Sequence, residues 1–132
     1  MAFANSKIIP IHGDLISDKL GITPSDREMI KDRCNIIINS AASVNFNDPL
    51  QEALQINYFG CQRVLELAKE CKNLEIFTHV STCYVNCDRL GYIEEKIYNP
   101  NADVGSLVNT IMSMSVQEIK ASESKLIGAY PN

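Results

Sequence analysis

The chain has 132 residues, enough for about one domain, and 45% of them are hydrophobic, an ordinary share for a soluble globular protein. Lys and Arg number 12 against 16 Asp and Glu, a net charge of −4. That balance excludes the basic stripe of a nucleic-acid binder and a polybasic hold on an anionic membrane, and no apolar run approaches the ~20 residues of a spanning helix.

The first residues, Met1-Ala2-Phe3-Ala4-Asn5-Ser6-Lys7, lack a basic start followed by a long apolar stretch, so no signal peptide is expected. Lys7-Ile8-Ile9-Pro10-Ile11-His12 is a β-branched run closed by Gly13-Asp14, which predicts a strand over 7–12 and then a loop. Thr23-Pro24 sets a capping residue before a proline at the first helical position, and a helix over 24–34 follows. Asn35-Ile36-Ile37-Ile38-Asn39-Ser40 predicts a second strand, whose continuous apolar centre fits a parallel strand covered on both faces. Residues 41–48 are small and polar and read as a loop.

The longest helix is expected over about 49–71. Leu50, Leu54, Cys61, Leu65 and Ala68 recur at helical spacing, and Glu52, Gln55, Arg63, Glu66, Lys69 and Glu70 supply a wet side. Asn73 breaks the chain, and residues 75–81, rich in Ile, Phe, Thr and Val, predict a third strand. From 82 to 102 the chain is expected to be mostly loop, with turns at Asp88-Arg89, Gly91 and Asn99-Pro100. A last helix starts after Asp103 and runs, with or without a break, to about 125. Five cysteines, mostly inside apolar segments, suit reduced thiols in a reducing compartment. Cys83 and Cys87 have no second Cys or His pair beside them, so no metal site is expected.

Strand, helix, strand, helix, strand is the alternation of an α/β fold with a parallel sheet. In such sheets ligands bind beyond the carboxyl ends of the strands. Three clusters fall there: His12-Gly13-Asp14, Ser40-Ala41-Ala42 and Ser81-Thr82. Gly13 and Asp14 either admit an adenine ring, the carboxylate taking its amino group, or form a plain turn. Ala41 and Ala42 are small either for a flat cofactor or for close packing of helix on sheet. Asn57, mid-helix among apolar residues, either orients a water or backbone group near the site or is a surface amide. The Ser81 and Thr82 hydroxyls either donate to a substrate carbonyl oxygen or satisfy the last backbone groups of the strand. His79 reads as a packed or edge histidine before a base.

Four stretches together resemble the fatty acyl-CoA reductases, which are extended short-chain dehydrogenase/reductases. They are Ile11-His12-Gly13-Asp14, the run Ser40-Ala41-Ala42-Ser43-Val44-Asn45-Phe46-Asn47-Asp48-Pro49-Leu50, Ile56-Asn57-Tyr58-Phe59-Gly60, and His79-Val80-Ser81-Thr82-Cys83-Tyr84-Val85-Asn86. Glu94-Glu95-Lys96-Ile97-Tyr98 is similar to the segment that follows in that family. The resemblance implies a partial Rossmann-like parallel sheet with flanking helices, one NAD(P)-binding domain over 1–132, and NADPH as hydride donor. It implies a long-chain acyl-CoA substrate reduced to a fatty alcohol. Gly13 and Asp14 would lie at the adenine end, with Ala41, Ala42 and Asn57 along the cofactor cleft. Thr82 would be the catalytic hydroxyl, with Ser81 as its fallback. The family's usual place, the cytosolic face of the peroxisome or endoplasmic reticulum, is implied with it.

Two elements of that family have no counterpart between residues 1 and 132: the G-x-x-G-x-x-G turn of the first β-α-β unit, which presents a helix N-terminus to phosphate, and the Y-x-x-x-K pair that follows the hydroxyls. Tyr92-Ile93-Glu94-Glu95-Lys96 fits the second pattern by letter alone, with two carboxylates beside the lysine. The chain is therefore expected to be an internal fragment, inactive by itself. In the parental strand order 3-2-1-4-5-6, the strand over 7–12 loses its neighbours, so it is expected to stand apart or to dock on the strand over 35–40. Another reductase or epimerase of the same superfamily, or a non-catalytic binding remnant, are the rival readings.

Overall fold

The computed structural model describes residues 7–86, 89–99 and 103–129. It divides into two compact units, Met1–Val80 and Ser81–Asn132. The expected turn residues Asp88 and Pro100, together with Cys87, the stretch 1–6 and Tyr130-Pro131-Asn132, lie outside the described residues.

In the first unit, Thr23 stands in extended backbone and its hydroxyl accepts from the Asp26 N–H at 3.2 Å. With Pro24 at the first position, this starts helix α1, Pro24–Arg33. Strand β1 is Ile36–Asn39 and strand β2 is Ile76–His79; they pair in parallel with Ile36 opposite Ile76 and Asn39 opposite His79. Between them runs one unbroken helical stretch. It begins as α2, Leu50–Ala53, widens into a π segment, Leu54–Phe59, and continues as α3, Gly60–Glu70. The Gly60 N–H donates to the Gln55 carbonyl, the i→i−5 bond that defines the wider turn.

Polar side chains tie α1 to the far end of α3 and to the start of β2. Arg27 pairs with Glu70 at 2.6 Å, and that guanidinium holds the Glu70 carboxyl below its ordinary value. Asn73 Nδ2 donates to the Asp32 carbonyl and Asn35 Nδ2 to the Asn73 carbonyl, each at 3.1 Å. The residues on either side of the crossover are thereby clamped where the two strands begin.

Two expectations are corrected. The run over 7–12 is not a strand: the sheet of the described residues is β1 and β2 alone, and Ile8 and Ile9 are exposed. A β-branched run takes its stability from neighbours across the ladder, and this one has none there. Nor is β1 covered on both faces. Ile37 and Phe77 are half-buried and Asn39 is buried, while Ile36, Ile38 and Ile76 stay 55%, 65% and 51% exposed. One crossover between two parallel strands lays its helix on one face.

A compact turn, Asp18–Gly21, precedes α1, with Lys19, Leu20 and Gly21 at φ of 48°, 66° and 58°. A left-handed leucine costs roughly 1–2 kcal/mol. Leu20 is only 6% exposed, and burying such a side chain contributes roughly 1.5–3 kcal/mol, which offsets the cost of its own left-handed backbone. Among the described residues of this unit, Leu20, Leu67 and Ala68 are the buried apolar side chains.

The second unit opens with a turn over 82–86, then an irregular stretch in which Gly91 takes φ 87°. Asp103 caps helix α4, Val104–Ser113, by accepting from the Ser106 N–H at 3.2 Å. Helix α5, Val116–Ala129, follows after a break at 114–115. Ser115 and Glu118 make the break by reciprocal capping: the Ser115 N–H donates to the Glu118 carboxylate at 2.7 Å, and the Glu118 N–H donates to Ser115 Oγ at 3.3 Å. Val108 and Ile111 are buried here.

Candidate functional site

The Gly13-Asp14 turn is built by its own chain. Asp14 N–H donates to the Leu20 carbonyl at 2.7 Å, and a Cβ on Gly13 would meet that same oxygen at 3.1 Å and Ile22 Cγ1 at 3.3 Å. Gly13 suits the close approach of the Asp18–Gly21 turn, where a side chain would make its neighbours give by a few tenths of an ångström. Asp14 Oδ1 accepts from the Ile16 N–H at 3.1 Å and Oδ2 from the Ser17 hydroxyl at 2.9 Å. The Ile16 bond, then the Ser17 bond, holds this exposed carboxyl below its ordinary value. A carboxylate has about four acceptor positions, so Asp14 stays ionised with capacity for an external donor.

Ala41 and Ala42 follow β1 after one residue, Ser40, and are exposed. Next to them Ser43 is gripped at both backbone groups by Asn57. Its N–H donates to Asn57 Oδ1 at 2.8 Å, and Asn57 Nδ2 donates back to its carbonyl at 3.1 Å. The Ser43 hydroxyl donates to Asp48, whose other oxygen accepts from Asn45 Nδ2 at 2.6 Å. The loop after β1 is therefore fixed by polar bonds on its own side chains, and its two alanines leave the backbone at the strand's end uncovered by side chain. Asn57 is exposed, yet it does what a buried amide would do, which is to orient a backbone group.

One helical segment holds both loops. Asn57 lies in the π segment. Six residues on, Arg63 Nη1 donates to the Leu15 carbonyl at 2.9 Å and Nη2 to Gln55 Oε1 at 3.2 Å. A Cβ on Gly60 would meet Leu15 Cβ at 3.1 Å. Gly60 lets the loop after Asp14 lie against the helix, and Arg63 locks it there while lowering the Asp14 carboxyl a little further. Arg63 and Ser43 are site residues that helical spacing assigns to a wet face and a loop. Their partners lie 48 and 14 residues away, and no local pattern in the sequence encodes them.

Ser81 and Thr82 belong to the second unit and are exposed. Thr82 Oγ1 accepts from the Tyr84 N–H at 3.2 Å. That bond uses an oxygen lone pair and leaves the hydroxyl proton available. The Y-x-x-x-K look-alike is spent on surface contacts: Tyr92 is 89% exposed, and Lys96 pairs with Glu94 and lies 5.2 Å from the Tyr98 ring.

A family of NAD-binding domains described as male sterility protein matches residues 1–132. The chain is 40% identical over 126 residues to fatty acyl-CoA reductase 1 of Homo sapiens, which covers 96% of this chain and 24% of that protein. It is 39% identical over 127 residues to a putative fatty acyl-CoA reductase of Drosophila melanogaster, with the same coverage. Against a chloroplastic fatty acyl-CoA reductase 2 of Arabidopsis thaliana the identity is 39% over 99 residues, 75% of this chain and 16% of that protein. The chain spans about a quarter of the length of the first two relatives.

Proposed function

Since the chain belongs to the NAD-binding family described as male sterility protein, we propose that it forms part of a reductase that draws hydride from NADPH and reduces a long-chain fatty acyl-CoA to the fatty alcohol. The observation that carries this reading is the two-point grip of Asn57 on Ser43. It fixes a side-chain-poor backbone strip at the carboxyl end of a parallel strand, where ligands of open α/β sheets lie.

The residues fit an adenine nucleotide. Asp14 is an ionised, exposed acceptor for the adenine amino group, and Ala41 and Ala42 let a flat ring approach the backbone. The nicotinamide cofactor, when bound, supplies the hydride. Thr82 donates its hydroxyl proton to the substrate carbonyl oxygen, a bond that strengthens as charge develops there. The Tyr84 N–H orients that hydroxyl from behind, and Ser81 is the fallback donor. Residues 1–132 contain neither a G-x-x-G-x-x-G turn nor a tyrosine-lysine pair at the start of a helix, so this stretch alone does not turn over. The reading extends to the cytosolic face of a peroxisome or the endoplasmic reticulum; among the described residues no helix is long and apolar enough to cross a membrane.

The test joins residues 1–132 to a glycine-rich turn and a Y-x-x-x-K segment taken from the family. NADPH oxidation with a long-chain acyl-CoA is then followed. Thr82→Ala should lower kcat roughly 100-fold, the loss typical of one oxyanion donor, and Asp14→Ala should raise the KM for NADPH instead. Full activity in Thr82→Ala, or sustained NADPH oxidation by residues 1–132 alone, would sink the proposal.

A further inference from the structure

The register of the sheet brings together three side chains that the cofactor reading does not use. Asn39 and His79 are the last residues of β1 and β2 and are paired across the ladder on the face covered by α3. Asn39 is only 4% exposed, the one buried polar residue among those described. Its Nδ2 lies 3.2 Å from His79 Nδ1. Cys61, one residue into α3, places its Sγ 3.6 Å from the same Nδ1. The thiol is half-buried and the imidazole exposed.

We propose that Cys61 is a nucleophilic thiol, activated by His79 and positioned by Asn39, and a site of covalent modification by α,β-unsaturated carbonyl compounds. The chemistry follows from which atoms meet. The thiolate is the nucleophile, and a free cysteine is mostly thiol at neutral pH. With its proton on Nε2, His79 presents its Nδ1 lone pair to both Sγ and Asn39 Nδ2, and it takes the thiol proton as the amide N–H gives way. Asn39 serves both states of the ring, because its amide offers N–H to a bare Nδ1 and, rotated by half a turn, its oxygen to a protonated one. In the addition, Sγ bonds to the β-carbon and the π pair of the double bond moves to the α-carbon. The proton held on Nδ1 ends on that α-carbon. No group leaves and nothing is oxidised.

The other described cysteines set the contrast. Cys71 donates its S–H to the Leu67 carbonyl at 3.4 Å, and burial, then the neighbouring Cys34, pushes its thiol pKa up. Cys83 is exposed, as an ordinary surface thiol is. Exposure alone therefore ranks Cys83 first, whereas the imidazole contact ranks Cys61 first.

The probe is N-ethylmaleimide at pH 7, with labelling of each cysteine in the folded chain timed by peptide mass spectrometry. Cys61 should react about tenfold faster than Cys83, a gain within reach of a thiol with a base beside its sulfur. In urea the two rates should converge. His79→Gln should bring Cys61 to the Cys83 rate while its far-UV circular dichroism stays that of the parent chain. Cys61 reacting no faster than Cys83 in the folded parent overturns the proposal, whether or not any variant folds. An unchanged Cys61 rate in folded His79→Gln overturns it as well.

Discussion

Between residues 7 and 80 the chain closes on itself over long stretches: Arg63 reaches Leu15, Arg27 reaches Glu70, Asn73 reaches Asp32, and β1 pairs with β2. Among the described residues between 81 and 129, the bonds that shape the turn and helix ends are local, from Thr82 to Tyr84, Asp103 to Ser106 and Ser115 to Glu118. The two regions teach different lessons about what a sequence specifies. Long closures each carry a loop-entropy cost that several contacts must offset together, so the first region should open as a unit. Local caps stand or fall one at a time, so the second should fray element by element.

Leu67→Ala tests that cooperativity hardest. Leu67 is 5% exposed in a unit with few buried apolar side chains, and removing such a leucine costs roughly 2–5 kcal/mol. Amide hydrogen exchange should show α1, β1, α3 and β2 losing protection together. Loss confined to the turns of α3 around Leu67 would break the comparison, since the long closures would then not be coupled.

Asn57→Ala should have a smaller and sharper effect. Two bonds to Ser43 vanish, each contributing about 0.5–1.5 kcal/mol net. The Ser43 amide should exchange freely while β1 keeps its protection. Asn57→Asp retains the acceptor for the Ser43 N–H but loses the donor to its carbonyl, so it should fall between the two. Equal behaviour of Asn57→Ala and the parent chain would mean that the loop after β1 is set by Ser43, Asn45 and Asp48 alone.

The same division explains what could be read in advance. Thr23-Pro24 and the helix start after Asp103 were legible because caps are written within four residues of where they act, whereas the break at 114–115 stayed open in the sequence. The parallel pairing of β1 and β2 was legible from alternation of apolar runs with a helix. The π segment was not: Leu50, Leu54, Cys61, Leu65 and Ala68 keep an apolar face across one widened turn, so periodicity averages over it. Leu20 carries no glycine or asparagine signal for its positive φ; its burial decides the conformation. The run over 7–12 has the composition of a strand but no strand pairs with it among the described residues. Of the candidate site residues, Asp14, Ala41, Ala42 and Asn57 stood out as residue types after predicted strands or in a helix. Arg63 was hidden, because a guanidinium that bonds a carbonyl 48 residues away looks like any solvated arginine.

The smallest expected effect is at the break between α4 and α5, and it has a pH signature. The Ser115 hydroxyl, then the Ser115 N–H, donates to Glu118 and holds its carboxyl below the ordinary 4.5. A depressed folded pKa means the unfolded helix end binds its proton first on acidification. The cap's contribution is therefore complete above the ordinary glutamate value and is lost as pH falls through the lower, folded one. Amide shifts of residues 115–119, followed by NMR, should be flat above about pH 6 and move below 4.5. Glu118→Gln keeps an acceptor for both donors and should abolish the movement while leaving the helix start in place. Ser115→Ala removes the cap on the Glu118 N–H, at about 1 kcal/mol of helix stability, and leaves the backbone bond to the carboxylate, so the Glu118 midpoint should rise only part of the way to 4.5. If neither variant alters the shifts of α5, its start is set by something other than this local pair, and the contrast between the two regions loses its clearest example.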